Sequence, residues 1–195
     1  SFQLEMTKKI KCDVSLITNI TPDHLDRHKN FENYKQIKHK IFLNSNRIII
    51  NRTDKNIRKK EHLLDYSFGS DAAPNESSFG ILKRGGVNYI VKGTESIISE
   101  NEIKLIGKHN LENICSSLAV INILNLSLEK AINAIKIFEP IQHRMEKFYY
   151  KDKVNWVNDS KSTNVDSTIS AVNSLSGNII LIIGGRSKTD DYGKL

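Results

Sequence analysis

The sequence predicts an α/β protein with a largely parallel β-sheet, and three observations lead to that prediction. Segments with the three- and four-residue spacing of amphipathic helices alternate with apolar runs that have the length of buried strands. These runs are residues 14–18, 47–51, 87–91, 154–158 and 178–185. The middle of the chain, roughly 62–106, carries shorter β-like pieces broken by glycines, which is typical of antiparallel hairpins. The expected sheet is therefore mostly parallel and contains an antiparallel β insertion.

Three helices are predicted from the apolar periodicity. The first covers 31–42, and the residues on its apolar face are Phe31, Tyr34, Ile37, Ile41 and Phe42. The second runs from about His109 to Leu124, and its expected buried residues are Leu111, Ile114, Cys115, Leu118 and Ile121. The third covers 127–138 and opens on Ser127, a residue type whose hydroxyl caps helix N-termini.

A domain boundary is expected near residues 139–142. Pro140 cannot continue the third helix, and a new strand–helix–strand pattern begins near Met145. The chain then divides into residues 1–140 and residues 141–195, the second part being the start of another α/β unit.

The composition is that of a globular protein and argues against several other classes. Apolar residues make up 38% and charged residues 26% of the chain, and no apolar run approaches the roughly 18 residues of a membrane span. The net charge is +7, but the lysines are scattered rather than gathered into a basic block with aromatic residues, so nucleic-acid binding is not favoured. Cys12 and Cys115 have the spacing of neither a zinc site nor a disulfide framework, and a reducing cytoplasm is the expected location.

Ionisable residues are concentrated in ITPDHLDRH, residues 20–28, directly after the first predicted strand. Open α/β sheets bind ligands at the carboxyl ends of their parallel strands, and His24 with its acidic neighbours offers imidazole and oxygen ligands to a metal ion. Taken alone, the segment favours a solvated loop over a metal site. Lys38 lies four residues after Tyr34, beside the apolar face of the first helix. A lysine there usually packs its stem and keeps its ammonium in water, and a functional role needs a partner that alters its charge.

Two asparagines stand at the start of the second predicted helix, in GKHNLEN (107–113). Asn110 is an ordinary N-cap candidate. Asn113 follows one turn later on the same side, so the two carboxamides could face one ligand. Amides of this kind suit the donor–acceptor edge of a purine.

A strand-to-helix turn, NDSKSTN (158–164), combines Asp159, Lys161 and Thr163. Backbone N–H groups at a helix N-terminus favour phosphate or carboxylate groups, and Lys161 adds a positive charge. An anion site is therefore favoured over a simple helix cap. The next predicted strand ends in IIGGRSKTDD, where a glycine pair allows close approach and Lys188 provides a point charge.

With these residues in order, the chain resembles the Mur ligases of peptidoglycan synthesis. The segments that carry the resemblance are SFQLE (1–5), NITPDHLDRH and the helix after it (19–42), GKHNLEN (107–113), HRME (143–146), NDSKSTN (158–164) and GGRSKTDDY (184–192). The DHLDRH block is shared across the family, whereas SFQLE and NDSKSTN resemble its D-glutamate-adding branch. The resemblance implies an incomplete Mur ligase central, ATP-binding domain in residues 1–140, followed by the start of a Rossmann-like C-terminal domain.

The resemblance also implies a reaction. ATP would activate the carboxylate of UDP-N-acetylmuramoyl-L-alanine as an acyl phosphate, which the amine of D-glutamate would attack, with Mg²⁺ bridging phosphate oxygens. His24 would bind one Mg²⁺, and Lys38, carbamylated by carbon dioxide, would bind a second.

Other residues would hold the substrates. Those that would meet the nucleotide are Asn110, Asn113, Arg144 and Asp159. Lys161 and Thr163 would neutralise and orient phosphate and D-glutamate, and Lys188 would take a glutamate carboxylate. Arg144 lies next to the expected boundary and would touch ATP only when the two domains close.

The sequence departs from the family's pattern in several ways. It contains no Gly-x-x-Gly-Lys-[Ser/Thr] phosphate loop, no UDP-binding domain ahead of Ser1 and no glutamate before SFQLE to share the magnesium. It also ends at Leu195, before the family's remaining D-glutamate contacts. The chain is therefore expected to be a segment of such a ligase that is inactive alone. Two alternatives stay open, a catalytically silent nucleotide-binding module and a relative that adds a different amino acid.

Overall fold

The computed structural model describes residues 1–57, 66–185, 192–193 and 195. The helices are α1 Phe2–Met6, α2 Leu25–His28, α3 Phe31–His39, α4 Lys108–Ile123, α5 Leu128–Ile137 and α6 Val165–Asn173. The strands are β1 Cys12–Leu16, β2 Ser45–Asn51, β3 Ser67–Phe68, β4 Phe79–Arg84, β5 Val87–Lys92, β6 Glu95–Ser99, β7 Glu146–Lys151 and β8 Val154–Asn158. Short 3₁₀ helices lie at Lys40–Phe42 and Glu100–Glu102.

Strands β1 to β6 form one sheet in sequence order. Each strand from β1 to β4 runs parallel to the next, whereas β4, β5 and β6 form an antiparallel meander. The prediction of a mostly parallel sheet with antiparallel strands is confirmed. The antiparallel part continues the same sheet instead of standing apart from it, because β4 pairs with β3 on one side and with β5 on the other.

The sheet is covered on both faces, as the alternation of side chains along β2 shows. Ile49 packs in a large cluster with α4 and the side chains of β3 to β6. Its neighbour Ile50 belongs to a second cluster, which contains Ile20, Tyr34 and Ile57. Helix α3 covers this second face, and the prediction of a helix in 31–42 is confirmed, with its last turn in 3₁₀ form.

The predicted positions of helices α4 and α5 are also confirmed. Of the five α4 residues expected in the core, all but Ile121 are buried. Ile121 is half-buried, whereas Ile123, which was not in the predicted set, is buried. The buried face of the helix therefore extends to its last residue. Ser127 caps α5 by accepting a hydrogen bond from the Lys130 N–H at 3.2 Å.

The last part of the chain differs from the predicted strand–helix–strand order. Strands β7 and β8 form an antiparallel two-stranded sheet of their own, and α6 follows them. Residues 178–185 form no strand, although their sequence predicts one, and Ile180 and Ile182 are 92% and 81% exposed. An extended segment needs a neighbour for its N–H and C=O groups, and no strand of the described residues lies beside this one. Within the described ranges, no helix is both long and apolar enough to cross a bilayer.

Candidate functional site

His24 lies in the loop that follows β1, at the first turn of α2. Its backbone is left-handed, with φ 55°, and its side chain is 37% exposed. The Asp23 carboxylate accepts the His24 backbone N–H at 2.9 Å and places its other oxygen 3.6 Å from the His24 Nε2. An accessible imidazole and a carboxylate therefore lie next to each other in the loop after β1.

Helix α1 packs its single aromatic ring against this loop. The Phe2 ring meets the His24 ring edge-on, with 5.0 Å between centroids, and stacks on the His28 ring at 5.5 Å. The Arg27 guanidinium lies 5.7 Å from the Phe2 centroid and pairs with the Glu5 carboxylate at 3.2 Å. The segments SFQLE and DHLDRH, separate in sequence, thus pack against each other.

His28 connects the loop to helix α3. The residue is only 4% exposed, its Nε2 lies 3.0 Å from the Ser1 hydroxyl, and its ring centroid lies 5.4 Å from that of Tyr34. Tyr34 in turn carries the Lys38 ammonium above its ring, 5.2 Å from the centroid. The end of the Lys38 side chain is therefore held by a cation–π contact with the Tyr34 ring.

Lys38 also faces a cavity of about 250 Å³ at the carboxyl end of β1. Its other lining residues are Ser1, Leu4, Leu16, Ile17, Thr18, Asn19 and Ile41. As an ammonium, Lys38 would repel a metal cation there. A carbamate on the same nitrogen would replace that positive charge with anionic oxygen, which is the ligand type that Mg²⁺ prefers.

The donors around His24 and Lys38 fit a magnesium ion only in part. No group of three or more His, Cys, Asp or Glu side chains in the described ranges is arranged to hold a metal. Mg²⁺ usually keeps several waters and takes one or two protein ligands together with substrate phosphates. Asp23 and His24 suit that kind of site, and a closed cage of protein ligands is not present in this part of the chain.

The start of α4 differs from the sequence prediction in its cap. Gly107, not Asn110, is the N-cap residue, and its φ of 99° is a conformation that glycine adopts readily. A Cβ at Gly107 would also lie 2.4 Å from the hydroxyl oxygen of Ser174, the C-cap of α6. Asn110 lies within the first turn and donates its side-chain N–H to the Ile106 carbonyl at 2.7 Å. Asn113 is exposed one turn later, so the two amides lie at one helix start as expected.

The segments HRME and NDSKSTN lie against each other. The Asp159 carboxylate accepts the Met145 N–H at 3.1 Å and also the Ser162 hydroxyl. The Lys161 N–H donates to the His143 carbonyl at 3.1 Å. The side chains of Arg144, Lys161 and Thr163 are exposed beside this junction, so two cations and a hydroxyl are available to a ligand.

His109 connects the start of α4 to the part of the chain that follows β8. Its Nδ1 lies 3.4 Å from the hydroxyls of both Ser170, on α6, and Ser174, the C-cap of α6. Burial lowers the pKa of His109, and the charge of Asp159 acts in the opposite direction. The structure therefore brings the segment that contains Asn110 close to Asp159. Lys188, the remaining predicted residue, lies outside the described residues.

Sequence reasoning missed a polar group that holds the His24 loop in place. Asn51 ends β2, Asp54 and Asn56 follow it, and their side chains bond the backbone of Thr18 and Ile20. The signal was present in the sequence, because three Asx residues crowd the end of a strand adjacent to β1. The carboxyl ends of neighbouring parallel strands lie at one edge of the sheet.

The fold and these segments identify the class of protein. The family described as the Mur ligase middle domain matches residues 2–121. The chain therefore belongs to the Mur ligase family.

Individual relatives give a finer similarity. The chain is 35% identical over 205 residues to the UDP-N-acetylmuramoylalanine–D-glutamate ligase of Legionella pneumophila strain Paris, an alignment that covers all of this chain and 45% of that protein. It is 32% identical over 197 residues to the ligase of the same name from Aliivibrio fischeri strain ES114, covering 44% of that protein. The chain thus spans less than half the length of these relatives.

Solved structures show the same fold at lower identity. The UDP-N-acetylmuramate-alanine ligase of Thermotoga maritima superposes with a TM-score of 0.63 at 19% identity, covering 83% of this chain and 37% of that one. A pseudomurein peptide ligase type C from Methanothermus fervidus gives a TM-score of 0.61 at 18% identity, covering 84% and 41%. Similarity at this level defines the architecture.

Proposed function

We propose that the full-length protein is an ATP-dependent ligase that adds D-glutamate to UDP-N-acetylmuramoyl-L-alanine in peptidoglycan synthesis. The observation that carries the proposal is the junction of HRME with NDSKSTN, where one carboxylate, Asp159, connects the two segments. Two relatives that cover the whole chain bear the name of this ligase. ATP use and the free thiols of Cys12 and Cys115 suit a reducing cytoplasm.

Residues 1–140 are proposed as part of the central domain and residues 141–195 as the start of the C-terminal domain. Two observations support this division. The family match ends at residue 121, and the second sheet, formed by β7 and β8, begins at Glu146.

The exposed cations beside Asp159 are proposed to bind the anionic groups of the substrates. Arg144 offers a planar fork suited to phosphate, whereas Lys161 offers a point charge to phosphate or to the carboxylate of the amino acid. Thr163 adds a hydroxyl at the start of α6, where unpaired backbone N–H groups favour anions. Lys188 is proposed to take the second carboxylate of D-glutamate.

The nucleotide is proposed to lie between the start of α4 and the turn after β8. Asn113 is exposed and can offer both halves of its amide to a base. Asn110 keeps its carbonyl oxygen for a ligand, because its N–H group is the one that bonds Ile106. Asp159 has a carboxylate already oriented by Met145 and Ser162.

Magnesium is proposed to be held by His24 and by Lys38 in its carbamylated form. When bound, Mg²⁺ would neutralise negative charge on the phosphate oxygens while the phosphoryl group passes from ATP to the substrate carboxylate. The protein's own contribution is orientation. Phe2 restrains the His24 ring, and Tyr34 determines where the end of Lys38 lies.

An amino-acid panel tests the function. The full-length protein, supplied with ATP, Mg²⁺ and UDP-N-acetylmuramoyl-L-alanine, should release ADP with D-glutamate and much less with L-alanine, L-lysine or diaminopimelate. A preference for a neutral or cationic amino acid would reassign the protein within the family. ATP binding without turnover on any amino acid would instead identify a nucleotide-binding module.

A further inference from the structure

Three polar side chains hold the segment that leads from β1 to His24. The Asn51 Nδ2 donates to the Thr18 carbonyl at 2.7 Å, and the Asp54 Oδ2 accepts the Ile20 N–H at 2.8 Å. The Asn56 Nδ2 donates to the Ile20 carbonyl at 2.9 Å. Asn51, Asp54 and Asn56 are called the Asx clamp below.

The Asx clamp is itself organised by further hydrogen bonds. The Asn51 Oδ1 accepts both the N–H and the hydroxyl of Thr53, at 3.0 and 2.8 Å. The Asp54 Oδ1 accepts the Asn56 N–H at 2.8 Å. Asn51 is only 2% exposed, so its amide would be costly to bury without these partners. Each clamp side chain therefore has one orientation, fixed before any ligand binds.

Ile20 is connected to both candidate magnesium residues, through the backbone to His24 and through its packing cluster to Lys38. Ile20 is 1% exposed and packs in the cluster that contains Tyr34, the residue beneath the Lys38 ammonium. His24 follows Ile20 by one short loop. A shift of Ile20 would thus move the His24 loop directly and α3 through Tyr34.

The clamp lies beyond the region where the β-ladder already holds the two strands. The last β1–β2 pair in register is Leu16 with Ile49. The segment that contains Thr18 and Ile20 lies past this pair, where side chains take over the bonding of its backbone. The clamp thus contributes to the position of the loop rather than to strand pairing.

We propose that the Asx clamp is a positioning device for magnesium binding, which holds the His24 loop and α3 in the arrangement that binds the metal. This inference rests on the proposed ligase function. None of the three residues contacts the reacting atoms in this role. Supporting residues of this kind typically change metal affinity or activity by about 10- to 100-fold when replaced.

The test compares two isosteric substitutions in the full-length protein. Each oxygen of the Asp54 carboxylate accepts one hydrogen bond, from the N–H of Ile20 or from that of Asn56. Asp54→Asn replaces one of these oxygens with an NH₂ group, which cannot accept, so one of the two bonds is lost. Asp13→Asn is the matched control, because Asp13 accepts the Asn46 side-chain N–H at 3.2 Å between the same two strands, at their opposite end. Both are measured for thermal midpoint, for the Mg²⁺ concentration that gives half-maximal turnover, and for Mn²⁺ binding by electron paramagnetic resonance.

Asp54→Asn should raise the half-saturating Mg²⁺ concentration and weaken Mn²⁺ binding by about tenfold or more, while excess Mg²⁺ restores turnover. A merely structural residue would lower the thermal midpoint and the active fraction while leaving metal dependence unchanged, and that result would overturn the proposal. If Asp54→Asn does not fold, Asn56→Ala takes its place, since it removes only the hydrogen bond to the Ile20 carbonyl. The same change in Mg²⁺ dependence and Mn²⁺ binding is then required of Asn56→Ala. Absence of turnover in the unmodified protein would refute the proposed function, whereas Mn²⁺ binding would still decide whether the clamp positions a metal site.

Discussion

The Asp159 carboxylate lies 3.1 Å from the backbone N–H of Met145 and accepts its hydrogen bond, which joins the turn after β8 to the turn before β7. Arg144 immediately precedes Met145, and Lys161 lies two residues beyond Asp159. One carboxylate therefore joins the two turns that carry these exposed cations.

Replacing Asp159 should consequently affect both stability and nucleotide binding. Asp159→Ala leaves the N–H of Met145, a residue only 5% exposed, without its acceptor, which costs about 1–3 kcal/mol. The Michaelis constant for ATP should rise by about tenfold or more, since the turns that carry Arg144 and Lys161 lose the hydrogen bond that joins them. Thermal unfolding and ATP-dependent turnover of the full-length protein measure the two effects. Asp152→Asn, in the exposed β7–β8 turn, is the control and should change neither.

Arg52 is a charged residue on which folding should depend strongly. Its side chain is 7% exposed, pairs with the Asp71 carboxylate at 2.7 Å, and donates to the carbonyls of Phe79 and Asp71 at 2.8 and 2.9 Å. Arg52→Ala should destabilise the protein by about 1–3 kcal/mol, because the carbonyl acceptors lose their hydrogen-bond donor, whereas the Asp71 carboxylate is 56% exposed and can be solvated. Arg52→Lys should recover only part, since an ammonium lacks the planar fork. Urea unfolding measures the loss, and Arg84→Ala at the exposed end of β4 should cost less than about 1 kcal/mol.

The sheet and its helices were predictable because their signals are local. Period-2 and period-3.6 apolar patterns report which face is buried, and they located β1, β2, α3 and α4. The prediction of a strand in residues 178–185 was wrong because a strand also depends on a signal that is not local. Their composition suits a buried strand, but a strand forms only beside a partner, and local sequence carries no information about that partner.

The candidate site was predictable wherever one segment contains all the groups, as in NDSKSTN. It was not predictable where the contact joins distant segments. The stacking of Phe2 on His28 and the hydrogen bond from the Ile20 N–H to Asp54 depend on tertiary packing. The N-cap of α4 was misassigned for another reason. Gly107 has no side chain to mark it, whereas Asn110 is a favoured cap residue type that instead bonds back to Ile106.

His109 should make stability depend on pH. Burial lowers its folded-state pKa below the ordinary value of 6.5, with Asp159 acting in opposition. As pH falls below about 6.5, His109 is protonated in the unfolded chain before it is protonated in the folded protein. The free energy of unfolding therefore decreases as pH falls from about 6.5 to the folded-state pKa of His109. His109→Gln should therefore lose less stability than the unmodified protein between about pH 7 and pH 5. Thermal midpoints across this range measure the difference.

Glu112 provides a check of opposite sign. Burial raises its pKa, so its contribution to stability is largest at low pH and is lost as pH rises from 4.5 through the folded-state pKa. Glu112→Gln removes this loss, so the free energy of unfolding of the variant should rise more steeply with pH above about 4.5 than that of the unmodified protein. Parallel pH profiles for both variants and the unmodified protein would contradict these assignments.

Lys38→Ala should abolish ligation by the full-length protein, with turnover falling by more than about 100-fold. The alanine leaves no nitrogen for the carbamate, so the cavity beside Thr18 loses the anionic oxygen that would take the second magnesium. Short carboxylates such as formate or acetate should restore part of the rate by occupying the vacated space. Lys35→Ala is the matched control, because Lys35 lies on the same helix but pairs with Glu32 at 2.6 Å, and it should turn over normally. Normal turnover in Lys38→Ala as well would show that Lys38 is only a packed surface lysine whose ammonium rests on Tyr34.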